Sequence, residues 1–170
     1  MLVLDLSKCS GCLRCEVNCA FHHTGKVSRS SARIKVVKME ERGIDFPVFC
    51  QLCMERHCTE CPRSAITIGP CGEIRVDVDL CTGCGDCEEL CPIGALEIHE
   101  EIPLVCDLCE GEPRCVEACT MGALSFEPTL QEAVSLQGLA DRLTPEERRV
   151  RFAFSSSQAV REGWILARRA

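Results

Sequence analysis

Sixteen of the seventeen cysteines in this 170-residue chain fall into four groups of four. Cys9, Cys12, Cys15 and Cys19 are spaced x2-x2-x3, and Cys50, Cys53, Cys58 and Cys61 are spaced x2-x4-x2 ahead of Pro62. Cys81, Cys84, Cys87 and Cys91 repeat the x2-x2-x3 spacing ahead of Pro92, and Cys106, Cys109, Cys115 and Cys119 are spaced x2-x5-x3. Cys71 stands apart. Thiols so dense are either paired as disulfides or ionised on a metal. Met1–Leu6 is too short and too soon interrupted to be a secretory apolar segment, so the expected compartment is a reducing cytoplasm. Disulfide frameworks do not persist there, and an odd count cannot pair completely.

Spacing then selects among metals. The third quartet is the C-x2-C-x2-C-x3-C-P run of bacterial two-cluster ferredoxins, and the first is the same run with Ala20 in place of the proline. Three cysteines at i, i+3 and i+6 wrap a loop around three irons of one cubane. The fourth, on the following helix, points away and ligates a neighbouring cluster. Zinc sites instead use two separated knuckles of two ligands each. A zinc-binding interaction module without redox work is the distant alternative.

These loops need elements to hold them. Ala65-Ile66-Thr67-Ile68, Ala95-Leu96-Glu97-Ile98 and Ala123-Leu124-Ser125-Phe126 follow quartets two, three and four, each an alternating half-buried strand. Gly11 and Gly83 precede the second cysteine of their runs, where they let backbone N–H groups approach cluster sulfurs. Strand, cluster loop, short helix and strand form one unit. Two units make a two-cluster ferredoxin, so four quartets predict two such modules of α+β class with small antiparallel sheets. Crossover ligation follows from the spacing, but which quartets pair does not. Short separation favours two with three, since residues 62–80 read as a hairpin through Gly69-Pro70-Cys71-Gly72.

Residues 1–127 resemble the four-cluster, ferredoxin-type electron-transfer subunits of molybdenum and tungsten oxidoreductases. That group includes the iron–sulfur partners of dimethyl-sulfoxide reductase, formate dehydrogenases and formate hydrogenlyase. The quartets carry the resemblance in their order and in the relaxed gaps of quartets two and four. Glu41-Arg42-Gly43-Ile44-Asp45-Phe46-Pro47-Val48-Phe49-Cys50 is most similar to the small subunits of tungsten aldehyde:ferredoxin oxidoreductase-type enzymes, including those of class II benzoyl-CoA reductase. The resemblance implies four 4Fe–4S clusters and pairs quartet one with four, and two with three. Cluster 1 then takes Cys9, Cys12, Cys15 and Cys119, and cluster 2 takes Cys106, Cys109, Cys115 and Cys19. Cluster 3 takes Cys81, Cys84, Cys87 and Cys61, and cluster 4 takes Cys50, Cys53, Cys58 and Cys91.

Three features depart from the family pattern. The x2 gap before Cys61 is one residue short, which on a helix turns the side chain by about 100°. Three clusters rather than four would result if that turn disrupted the site. Quartets one and four lack the following proline, with Ala20 and Thr120 in its place, and quartet four carries an extra loop residue that Gly111 could absorb. Cys71 reads as a small residue in a turn rather than a ligand. His57, beside Cys58, reads as a neighbour or surface group because the cysteine set is complete; His22 and His23 read as solvent-facing, and His99 carries no signal.

Charge and composition narrow the function. The chain carries a net −7, made of 22 acidic against 12 basic residues up to position 140 and 4 against 7 beyond it. Four oxidised clusters with ionised ligands add about −8. So anionic a body does not bind nucleic acid. No run of 18 apolar residues exists, which excludes a membrane-spanning helix. Six Phe, one Trp and no Tyr leave room for something other than side chains inside. Residues 128–170 read as a cysteine-free helical extension, with helices at Thr129–Leu143, from the capping box Thr144-Pro145-Glu146-Glu147, and around Trp164. Trp164 among arginines has the composition of an interface anchor, so the extension reads as an arm docking a catalytic subunit or another copy, with packing on its own body as the alternative. No paired carboxylates, nucleophile triad, phosphate loop or nucleotide fingerprint is present. The expectation is an oxygen-sensitive electron-transfer subunit, not catalytic alone. Its partner would be a large tungsten or molybdenum subunit, with a further redox subunit or ferredoxin beyond it. A formate dehydrogenase or hydrogenase complex is the alternative setting.

Overall fold

The computed structural model describes residues 1–128 and 143–167, with side chains up to Glu162. Its strands are β1 (Leu2–Leu4), β2 (Lys35–Met39), β3 (Ile44–Val48), β4 (Ile66–Ile68), β5 (Ile74–Val76), β6 (Glu97–His99), β7 (Ile102–Leu104) and β8 (Leu124–Phe126). Its α-helices are α1 (Arg14–Thr24), α2 (Asp86–Glu89), α3 (Arg114–Glu117), α4 (Pro145–Ser156) and α5 (Gln158–Ala167). The strands form four separate two-stranded antiparallel ribbons: β1–β8, β2–β3, β4–β5 and β6–β7. The class is α+β, with the small antiparallel sheets that the sequence predicts.

A lone two-stranded ribbon is barely stable in water, so each must be held by packing. Two apolar centres do this. One joins Leu2, Ala20, Ile34, Phe49, Leu108 and Leu124 with the buried Cys15, Cys19, Cys106 and Cys115. The other joins Ile44, Phe46, Val48, Ile66, Ile74 and Leu96 with the buried Cys87 and Cys91. Cysteines thus sit inside both cores, in a chain short of large aromatics. Cys50 packs against both centres.

The topology is nested. β1 pairs with β8 in the register Leu2↔Phe126, and α1 packs against α3, so the first and last quartets are brought together. The terminal ammonium of Met1 donates to the Glu127 carbonyl at 2.7 Å, and the Glu127 N–H returns a bond to the Met1 carbonyl at 2.9 Å. Everything between, including the β4–β5 and β6–β7 ribbons, is inserted into that frame. The hairpin expected at residues 62–80 is β4–β5 (Ile66↔Val76), with Gly72 at φ 80° in its turn.

The longest ribbon, β2–β3, is absent from the sequence reading. Val36 faces Pro47 and Met39 faces Ile44 across it, joined by a turn at Gly43 with φ 64°. Its Ile44, Phe46 and Val48 are buried and form the platform on which α4 lies. Phe152 of α4 meets Phe46 edge to face at 5.8 Å, Ala153 is fully buried, and Arg42 stacks on Phe154 at 3.1 Å.

Within the extension, helix α4 is packed on the body. For α4 this is the packing alternative, because the β2–β3 hairpin supplies apolar surface that the cysteine loops do not; Trp164, the expected anchor, has its side chain outside those described. The capping box forms as written in the sequence: Thr144 Oγ1 accepts from Glu147 N–H at 3.2 Å, and Glu147 accepts from Thr144 N–H at 2.7 Å. The helix expected over 129–143 lies outside the described residues, apart from Leu143, which precedes α4 in a loop.

Candidate metal centre

Local backbone chemistry shapes each cysteine loop. Gly11 and Leu13 both take positive φ (63°), which winds the chain from Cys9 to Leu13 into a cup that leads into α1 and Cys15. Gly83 does the same at φ 65°, and its N–H points at Cys81 Sγ at 3.5 Å. A methyl group there would fall 2.8 Å from the Glu101 carbonyl, so only glycine lets the loop close against that strand turn. In quartet four, Leu108, Cys109 and Glu110 all take positive φ, which is how the x5 gap is accommodated.

The fold gathers the cysteines into four mixed sets. Cys9, Cys12 and Cys15 line one pocket with Cys119, beside Leu13, Met121 and Leu124. Cys81, Cys84 and Cys87 line another with Cys61, beside Ile66, Ile98 and Pro103. Cys19 lies within electrostatic reach of Cys106, Cys109 and Cys115. Cys91 lies within reach of Cys50, Cys53 and Cys58. In every set three cysteines from one quartet meet the last cysteine of another.

The short gap before Cys61 does not keep it from its set. His57–Thr59 forms a single 3-10 turn and Cys61 lies beyond it, so the 100° rotation expected for an α-helix does not apply. Cys71 is exposed in the hairpin turn and belongs to none of the four sets. His57 is exposed and pairs with Glu60 at 2.8 Å. Trp164 falls on α5, with its side chain outside those described.

Burial sets the state of the thiols. It pushes Cys15, Cys50, Cys58 and Cys115 up to about 12, and Cys53 and Cys87 up to about 11. Cys106, also buried, is raised well above the ordinary thiol value. Cys12 is instead lowered, chiefly by the Arg14 N–H that points at it. Buried thiols are neutral at pH 7, so holding a cationic core must displace protons. N–H donors already face the sulfurs: Arg33 N–H meets Cys19 Sγ at 3.3 Å, and Ala123 N–H meets Cys119 Sγ at 3.3 Å. Four thiols per set, apolar walls and backbone N–H groups aimed at sulfur are the donor chemistry that an iron–sulfur cubane requires.

Several polar residues around these sets were missed from sequence. His23, read as solvent-facing, is half-buried, with Nε2 3.9 Å from Cys109 Sγ and 3.6 Å from Asp107 Oδ1. Burial, with the nearby Arg33 cation, pushes its imidazole down to about 4. His22, His23 and Cys109 bring ligand atoms within 4.8 Å of one another, so this group borders the Cys19 set and is not a separate centre. Asp107 also pairs with Arg33, whose Nε is buried without a partner among the described residues. Glu16, 1% exposed, accepts from Val36 N–H and from Arg29 and so ties α1 to β2. One signal was available: Glu16 and His23 share α1 with Cys15 and Cys19, so a helix carrying two buried thiols must bury their neighbours too.

A family model described as the 4Fe-4S binding domain matches residues 74–97, from β5 to the start of β6. This match and the cysteine spacing support 4Fe–4S clusters as the cofactor. It is 34% identical over 93 residues to the polyferredoxin-like subunit of the aliphatic sulfonate oxidoreductase of Pyrococcus furiosus, covering 54% of this chain and 53% of that relative. It is likewise 34% identical over 94 residues to a tetrathionate reductase subunit of Archaeoglobus fulgidus, covering 55% and 45%. The chain spans about half the length of these curated relatives. Among solved structures, the active site complex BamBC of benzoyl coenzyme A reductase with benzoyl-CoA is 29% identical, at a TM-score of 0.43, over 74% of this chain and 76% of that one. No helix among the described residues is long and apolar enough to cross a membrane.

Proposed function

We propose that this 4Fe–4S protein is the electron-transfer subunit of an oxidoreductase complex and is not catalytic on its own. Its four mixed cysteine sets are the ligand sets: Cys9, Cys12, Cys15 and Cys119; Cys19, Cys106, Cys109 and Cys115; Cys50, Cys53, Cys58 and Cys91; Cys61, Cys81, Cys84 and Cys87. Quartets one and four make an outer module, quartets two and three an inner one, and residues 128–170 an extension. Bound there, 4Fe–4S clusters supply reversible one-electron transfer. The thiolates hold them, the N–H groups at Cys19, Cys81 and Cys119 stabilise charge on sulfur, and the apolar walls exclude water.

The observation that carries this reading is the contact between modules. The buried Cys106 and the partly buried Cys50 are electrostatic neighbours, so the Cys19 set adjoins the Cys91 set. Within each module the crossover joins the remaining pairs, which orders the sets in one line. Its two ends carry the exposed Cys12 and Cys84. A row of centres, buried in the middle and open at both ends, is what a relay between two partners requires.

The catalytic partner in this reading is a large tungsten- or molybdenum-containing subunit that acts on an aldehyde, a carboxylate or an aromatic thioester of the benzoyl-CoA kind. The Glu41–Cys50 resemblance supports it, and the two relatives named as subunits of redox enzymes support an oxidoreductase setting. A further redox protein takes the other end. Seventeen unpaired thiols suit a reducing cytoplasm. Anaerobic purification with iron, sulfide, tungsten and molybdenum analysis tests the proposal. About sixteen irons per chain and a copurifying tungsten or molybdenum protein are expected; zinc without sulfide would end it.

A further inference from the structure

Helix α4 brings two arginines into the inner module, at Arg148 and Arg149, only 5% and 8% exposed. Their surroundings differ. Arg149 Nη1 binds the Gly94 carbonyl at 3.0 Å and the Glu97 carboxylate at 2.9 Å, so its charge is paired. Arg148 Nη1 binds three main-chain carbonyls, of Glu88 at 2.6 Å, Glu89 at 3.1 Å and Cys91 at 2.6 Å, while its Nε binds that of Leu143 at 3.0 Å. No carboxylate is among its partners within the described residues.

A buried cation usually has a counter-ion, because desolvating an unpaired charge is costly. Three carbonyl dipoles offset part of that cost. The segment they belong to carries Cys87 and Cys91, which the proposed ligand assignment gives to two neighbouring cubanes. A cubane with four thiolates is about −2 when oxidised and −3 when reduced. The counter-charge for Arg148 is then the cluster itself.

We propose that Arg148 is a potential-tuning residue: its buried guanidinium, fixed on the Cys91 carbonyl, stabilises the reduced form of the cluster held by Cys91. The idea rests on the ligand assignment above. It gives the C-terminal extension a redox role as well as a packing one, since removing α4 would remove a fixed positive charge from the relay. A cation held in a poorly solvated site acts on a nearby charge with little screening, so its effect on the one-electron equilibrium is large for a single side chain.

The test is an EPR-monitored redox titration of the full-length, cluster-loaded protein. In Arg148→Gln the midpoint of the Cys91 cluster falls at least tenfold in the oxidised-to-reduced ratio, about 59 mV for one electron. Arg148→Lys, which keeps the charge, recovers most of the shift. Arg149→Gln, whose charge Glu97 already neutralises, shifts it less than Arg148→Gln. A purely packing role would lower melting temperature in all three variants and leave the midpoint in place, and that result overturns the proposal. So does an Arg148→Lys titration that matches Arg148→Gln. Should Arg148→Gln not fold, Arg148→Met keeps the long side chain without its charge and lowers the same midpoint; an unmoved midpoint there also overturns it. Cys91→Ser identifies the signal concerned. If it leaves every cluster signal unchanged, the ligand assignment fails, independently of Arg148.

Discussion

The proposed outer and inner modules each hold eight candidate ligand cysteines but are braced differently. The outer one has the 11-residue α1, which carries Cys15 and Cys19, packs on α3 and is tied to β2 through buried Glu16. The inner one has, among the described residues, only the four-residue α2 and the 3-10 turn that holds Cys58, and its ribbons are three residues per strand. What it lacks is supplied from outside by α4, whose Arg148 and Arg149 grip the loop from Glu88 to Glu97. One module is supported by its own helix, and the other by a helix some fifty residues further along the chain. A cysteine count says nothing of this asymmetry.

That contrast breaks most visibly if α4 is removed. Truncation after residue 128 should spare the outer module and empty the inner one, so iron content falls from about sixteen towards about eight per chain. Equal loss from both modules would refute the asymmetry. A narrower cut is the pair Cys58→Ser and Cys115→Ser. Each should cost one cluster signal by EPR. Only Cys58→Ser should also lower the melting temperature of the inner module, as followed by hydrogen exchange at β4–β7.

Gly94→Ala acts at the contact between the inner module and α4. Gly94 has φ 63°, and a methyl group would lie 2.1 Å from the Pro145 carbonyl, so backbone must move. A destabilisation of about 1–3 kcal/mol is expected by thermal or chemical denaturation. Gly122→Ala, also at positive φ but with open space around it, should cost less. The smallest effect is Thr144→Ala, which removes the capping box of α4 and should cost about 1 kcal/mol in the same assay. If it instead costs nothing, α4 is held by packing alone.

Much of the site was legible because cluster ligation constrains sequence locally. An x2-x2-x3 run needs a tight cup, a glycine at positive φ and a helix start, and all of these are short-range. Gly11, Gly83 and the Thr144–Glu147 box are correct for that reason. The strands at 66–68 and 124–126 were readable from alternation next to each quartet, while the one expected over 95–98 runs instead from Glu97 to His99. β2–β3 was not, because Pro47 and the run of charges at Glu40–Arg42 obscure its pattern. His23 was misread because its neighbour Asp107 lies 84 residues away and no local rule joins them.

The sequence by itself determined the cysteine spacing and the loop chemistry, since three cysteines on a loop followed by a fourth on a helix dictate where each sulfur can point. Tertiary structure alone decided what stands around the sulfurs. The β1–β8 pairing joins the first quartet to the last, the β2–β3 platform captures α4, and α4 delivers a buried Arg148 to the Cys91 carbonyl. These are long-range contacts. They depend on which apolar faces the fold leaves uncovered, and no spacing rule carries that information.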